Sequence, residues 1–146
     1  MLRIILCSLA LVGFSCSFFK EFKKEQFSPA EGISFQILVP KGWNRVQTTP
    51  GAAGQTTRSY HYANGAHFYI ARTDSAVNQN EWIDTAQHIP LPFENGRVYK
   101  GVMPGLLYWR QIQLEDYRFG YRNVPSEVEA RFDSALNFSA LMKGVR

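Results

Sequence analysis

The sequence predicts an α+β domain: a single antiparallel β-sheet with a C-terminal helix and a short helix packed on one face. Three observations predict it. Apolar and polar residues alternate along several successive short segments, turn signals such as Asn64-Gly65 separate those segments, and the last strong segment switches to helical spacing behind a capping signal. A single helix with one apolar face needs a sheet to cover, and consecutive antiparallel strands supply one. With 45% hydrophobic, 14% aromatic and only 19% charged residues, the chain can build a core and falls outside the disordered class.

Residues 1–16 read as a signal peptide. Arg3 precedes the uncharged run Ile4 to Phe14, and Ser15-Cys16-Ser17 closes it. The run is about 11 residues, against the roughly 20 that a membrane-spanning helix needs. A small residue before Cys16 resembles the signals of bacterial lipoproteins, which makes Cys16 the expected lipidation site; the departure is Gly13, where that pattern usually has Leu. The competing reading is ordinary cleavage after Ser17, giving a soluble periplasmic or secreted protein. The two cysteines, Cys7 and Cys16, both fall in this segment, so the folded part is expected to hold no disulfide, no thiolate metal site and no cysteine nucleophile.

Residues 17–30 read as a tether in which Lys20, Lys23 and Lys24 alternate with Phe18, Phe19, Phe22 and Phe27, and residues 31–146 as a single domain. Ile33, Phe35, Ile37 and Val39 alternate with Ser34, Gln36 and Leu38 as a half-buried strand ending at Pro40-Lys41-Gly42-Trp43. Thr48 to Thr57 is small, polar and Gly-rich and is read as a loop. Asn64-Gly65 then predicts a two-residue hairpin, with Tyr62 opposite His67, Tyr60 opposite Tyr69 and His61 opposite Phe68. That register places His61 and His67 on opposite sides of the sheet. A short helix is expected from about Asn80 to Gln87, ended by Pro90 and Pro92. Arg97 to Val102 and Leu106 to Leu114 read as strands, joined by more than two residues because Pro104 has the wrong φ for a primed turn. Tyr117, Phe119 and Tyr121 alternate with Arg118, Gly120 and Arg122 in the final strand. Ser126 and Glu129 fit a capping box, followed by the stripe Val128, Phe132, Ala135, Leu136 and Ser139.

Strand Ile37 to Trp43, the segment around Trp82, the hairpin reaching Tyr108-Trp109 and the aromatic strand Tyr117 to Tyr121 running into Phe132 resemble the PsbP-like fold family of small exported or lipid-anchored bacterial proteins (DcrB-like), over about residues 30 to 142. The resemblance implies the fold. Members bind unrelated partners, so it supplies no function and no site residues.

The chain spells out no GxSxG, HExxH or DxDxDG motif, and no phosphate-cradling glycine loop, so no catalytic residue, metal site or cofactor is expected. Its formal net charge of +4 would suggest nucleic acid, but export argues against that partner. Two surfaces are candidates for partner binding. One carries Tyr60, Tyr62, His67 and Tyr69, aromatic residues with hydrogen-bonding tips, set against the plainer reading that they pack under a helix. The other carries Arg118 and Arg122, which must face solvent if the alternating aromatics face the helix, and which suit an anionic envelope protein or ligand, set against the plainer reading that arginines on a solvated strand face serve solubility alone. The reading is an exported, lipid-anchored envelope protein that acts as a non-catalytic binding or accessory module. The alternative is an envelope enzyme whose active site is not recognisable from sequence.

Overall fold

The computed structural model of the protein describes residues 19–30, 33–50, 56–72, 87–90, 96–114 and 116–144. A 3₁₀ turn, Phe19–Glu21, leads into β1 (Phe22–Ala30), which pairs antiparallel with β2 (Ile33–Pro40) as a small sheet of its own. Seven further strands form the main sheet: β3 (Trp43–Pro50), β4 (Thr56–Tyr62), β5 (His67–Arg72), β6 (Gln87–Pro90), β7 (Gly96–Met103), β8 (Leu107–Leu114) and β9 (Tyr117–Pro125). They lie in the order β3-β4-β5-β9-β8-β7-β6, each pair antiparallel, so the last strand of the chain sits at the centre. Helix α1 (Ser126–Gly144) follows directly. The α+β class holds, but the single expected sheet is two. The short helix expected around Asn80 to Gln87 lies outside the described residues, apart from Gln87, which opens β6.

Period-two alternation decides which residues enter the core. Tyr60, Tyr62, Phe68, Ile70, Ile112, Phe119 and Tyr121 form the inner face of the main sheet, all buried, and meet the buried stripe Phe132, Ala135, Leu136 and Ala140 of α1. The Phe132 ring stands edge-on to Tyr62 and Tyr121, at centroid distances of 5.0 and 5.7 Å. Asp133, one position further along the helix, accepts hydrogen bonds from Arg110 Nη1 (2.7 Å) and Tyr121 Oη (2.8 Å), tying α1 to β8 and β9.

Strand β2 is more deeply placed than a half-buried strand. Ile37, Leu38 and Val39 are all fully buried, so both of its faces are covered. Its Leu38 N–H donates to Ser139 Oγ on α1 (3.0 Å), so the helix also caps backbone that β1 leaves open. Ser139 itself is fully buried and donates back to Ala135 O within the helix (2.9 Å).

Three sequence expectations change. The residues read as a tether form β1 from Phe22 onward, with Phe22 and Phe27 buried and Lys23 and Lys24 exposed. The residues read as a loop from Thr48 begin inside β3 and end inside β4; Val46, Thr48 and Thr49 are good strand formers whose exposure hid the pattern. The hairpin shifts by one residue. Gly65 N–H donates to Tyr62 O (3.0 Å) and Tyr62 N–H to Ala66 O (2.9 Å), closing a three-residue loop of Ala63, Asn64 and Gly65 with Gly65 at φ +82°. This loop places positive φ after a tight turn, which Gly satisfies as readily as it satisfies the two-residue turn. Between β7 and β8, three residues make the connection as expected, with Gly105 (φ +84°) and Leu106 (φ +58°) both left-handed.

Candidate functional site

The shifted register sorts the candidate residues onto two faces. Tyr60 now pairs with Phe68 and faces the core, as does Tyr62, whose hydroxyl donates to Pro40 O (2.6 Å). Burial pushes both phenols above their ordinary pKa. These two tyrosines are core and present nothing to a partner. His67 and Tyr69 face the opposite way, where His67 pairs with Arg122 and Tyr69 with Gly120, while Arg118 sits opposite Ala71. The outer face of the central strands therefore carries His67, Tyr69, Arg118 and Arg122 together.

Arg118 and Arg122 occupy the face that the sequence assigned them, since Phe119 and Tyr121 are buried under the helix. Their exposure differs from expectation: Arg118 is only 8% exposed and Arg122 is half-buried. The strand that carries them, β9, is the middle strand of the sheet and not an edge. Burial also lowers the Arg122 guanidinium from its ordinary value, with Tyr69 acting in the opposite direction.

Two residues belong to this face that sequence reasoning left out. His61 pairs with His67, and the two imidazoles stack at 5.8 Å between centroids. Arg45 on β3 pairs with His61 and is exposed. The signal for His61 was the same Asn64-Gly65 turn read with a three-residue loop. Arg45 required β3 to be seen as a strand.

Tyr69 sets the neighbouring part of the face. Its ring lies over Gly120 of β9 and reaches β8, where its hydroxyl donates to Gln111 Oε1 (2.8 Å). Burial pushes the phenol up to about 12, so it stays a neutral donor. The same device recurs one strand further on, where the Trp109 indole lies over Gly101 of β7.

His67 is held neutral. Burial is the largest cause, followed by the Arg122 guanidinium and His61, and together they pull its pKa down to about 4. Among the described residues, the outer face of the main sheet carries no carboxylate: the described acids lie on the 3₁₀ turn, β1, the turn before β9 and α1. Likewise, among the described residues no three metal-ligating side chains converge, and no helix is long and apolar enough to cross a membrane. Cys16 lies outside the described residues. No protein-family model, curated protein or solved structure matches the chain.

Proposed function

We propose that this chain is an exported envelope protein, lipidated at Cys16, that acts as a non-catalytic binding module and contacts an anionic partner through the outer face of its main sheet. The observation that carries the binding face is the gathering of His67, Tyr69, Arg118 and Arg122 on one side of strands β5 and β9, with no carboxylate on that side among the described residues. A face of one charge sign attracts its opposite over several ångströms. Arginines offer planar forks suited to carboxylate or phosphate.

The anchoring reading rests on Arg3, the apolar run Ile4 to Phe14, and Cys16 behind a small residue. Cys16 precedes the 3₁₀ turn at Phe19 by three residues, a chain length of at most about 11 Å. A lipid at Cys16 would hold the folded unit close against the bilayer, with the exposed Lys20, Lys23 and Lys24 nearest the anchor, where each basic side chain near an anionic surface adds about 1 kcal/mol.

Mass spectrometry of the mature N-terminus tests the anchor: a diacylated Cys16 is expected, and an unmodified chain beginning at Phe18 overturns it. Capture of envelope components by the immobilised protein tests the face. Capture is expected to fall between 0.1 M and 1 M salt, as the Debye length drops from about 10 Å to about 3 Å. It is also expected to fall in Arg122→Gln, chosen because truncating the more buried Arg118 would disturb packing. Salt-insensitive capture that Arg122→Gln leaves unchanged, in a variant that melts with the parent, refutes the proposed face.

A further inference from the structure

Strand register gathers several turns at one end of the fold. β3 begins there at Trp43, which pairs with the last residue of β4, Tyr62, and β5 begins there at His67. The same end holds the last residue of β9, Pro125, paired with Leu107 at the start of β8, and Leu107 pairs in turn with Met103 at the end of β7. The chain also enters the fold here. Phe22 of β1 pairs with Pro40, and the Lys41 N–H, next along the chain, donates to Glu21 O (2.8 Å). Residues 1–18, which include Cys16, therefore join the domain at the end that carries the β7–β8 turn.

That turn reaches further out than its neighbour. His61, His67 and Arg122 share one level across β4, β5 and β9; beyond it β4 continues only to Tyr62, whereas β9 continues to Pro125. At about 3.3 Å per residue, less the slack of the bulge at Trp109, the Pro104-Gly105-Leu106 turn stands about 5 Å beyond the loop of Ala63, Asn64 and Gly65. It is also apolar. No charged residue occurs between Lys100 and Arg110, and Leu106 (74% exposed) and Val102 (57%) are the most exposed large apolar side chains among the described residues. Leu106 moreover sits at φ +58°, a left-handed conformation that Gly or Asn adopts at far lower cost than a leucine. A leucine that is both strained and exposed adds nothing to the core, and strain of this kind collects where a surface binds.

We propose that the β7–β8 turn dips into the headgroup region of a lipid bilayer, with Leu106 and Val102 as its apolar contacts. The proposal rests on the envelope reading above and adds to the anchor at Cys16 a second contact, one that fixes which end of the domain faces the membrane. The position of the anchor decides the occupant. A chain of at most about 11 Å from Cys16 to Phe19 holds this end of the fold against the bilayer, so the surface that meets the turn is lipid. Apolar groups that lie in the interface sit about 5 to 10 Å deep, a depth within reach of a turn standing about 5 Å beyond its neighbour. At this end the exposed Lys20, Lys23, Lys41 and Lys100 outnumber the exposed Glu21 and Glu127, a basic excess that suits anionic headgroups. Two aliphatic side chains on a narrow turn fall far short of the roughly 1,200 Å² that a specific protein interface buries, but they suffice for a lipid contact that supplements an acyl anchor.

The test is fluorescence of the mature chain carrying Leu106→Cys, labelled with an environment-sensitive dye and bound to vesicles of phosphatidylethanolamine and phosphatidylglycerol. Cys7 and Cys16 are removed or acylated under either reading of the signal, which leaves the new thiol the only free one. Blue-shifted emission quenched by bromine-substituted acyl chains is expected at position 106, and aqueous emission from Asp116→Cys in the β8–β9 turn at the opposite end. Leu106→Gly relieves the left-handed strain and should melt no lower than the parent, yet in a chain labelled through Val102→Cys it should lower the ratio of docked to undocked turn about tenfold. Aqueous emission at 106 in an acylated, vesicle-bound chain overturns the contact and leaves the anchor standing. Quenched emission at 106 in a chain that mass spectrometry shows to be unacylated does the reverse. Equal quenching at 106 and 116 overturns the preferred end. Shielding of 106 by envelope proteins but not by vesicles also overturns the proposal, and assigns the turn to a protein partner.

Discussion

Replacing Gly120 with alanine tests the way the outer face is assembled. Gly120 is not left-handed, so by backbone alone the change is permitted and should stabilise by about 0.4 to 1 kcal/mol through a stiffer unfolded chain. Packing opposes this. A Cβ at position 120 would overlap the end of the Tyr69 ring, with Cε1 only 2.8 Å away, so the ring must swing off. Overpacking of this kind costs about 1 to 3 kcal/mol. The swing also breaks the 2.8 Å bond from the Tyr69 hydroxyl to Gln111, a residue only 2% exposed, leaving a buried acceptor unpaired at a further cost of about 1 to 3 kcal/mol. The net is a destabilisation of about 1 to 6 kcal/mol, or a fall in melting temperature of at least about 3 °C for a domain of this size. Thermal and urea unfolding followed by circular dichroism measure it. In a Tyr69→Ala background the same glycine change should be neutral or slightly stabilising, because the obstructing ring is gone. A Gly120→Ala variant that melts at or above the parent temperature would show that the ring does not lie over β9, and the account of the face would fail with it.

Phe132→Ala should cost about 3 to 5 kcal/mol in chemical unfolding, since its ring fills the space between Tyr62 and Tyr121, and truncation at Pro125 should abolish cooperative unfolding altogether; a cooperative melt of the truncated chain contradicts the architecture. Ser139→Ala removes the acceptor of the Leu38 N–H and should destabilise by about 1 to 3 kcal/mol while speeding hydrogen exchange at Leu38, and unchanged exchange at that amide counts against the contact. Because burial, Arg122 and His61 depress the His67 pKa to about 4, the unfolded chain binds that proton more readily, so its contribution to stability is complete above about pH 6.5 and is lost as pH falls toward 4, by about 3 kcal/mol in all. His67→Gln should shrink the stability difference between pH 7 and pH 4 by a similar amount, and an unaltered difference would show that the imidazole is not held neutral.

The elements that were legible in the sequence are those whose pattern is both local and complete. Tyr117, Phe119 and Tyr121 alternate without interruption, and the stripe from Val128 to Ser139 keeps its helical spacing throughout, so the final strand and helix could be placed from periodicity. β1 was hidden because Lys23 and Lys24 are exposed and its two buried phenylalanines, Phe22 and Phe27, are five residues apart, a spacing that fits neither period. The hairpin register failed by one residue because Asn64-Gly65 serves two loop lengths, and with period two that single step exchanged His61 between the faces. Nothing in local spacing could place β9 between β5 and β8, and the pairing of His67 with Arg122 exists only through that placement.

The position of β9 also governs when the fold can exist. Strands β3 to β5 and β6 to β8 are two separate groups until the chain between them in space, which comes after both in sequence, has been made. The closure that follows is longer still, since the Leu38 amide meets Ser139 across 101 residues. A chain emerging from its N-terminus therefore carries two incomplete sheets with open inner edges, and an apolar β2 without its cover, until β9 and α1 have been made. Long-range closures of this kind make folding slow and leave sticky intermediates. Until then the chain must be kept from associating with its neighbours, and one cut short anywhere before α1 is a candidate for aggregation and not a smaller folded domain.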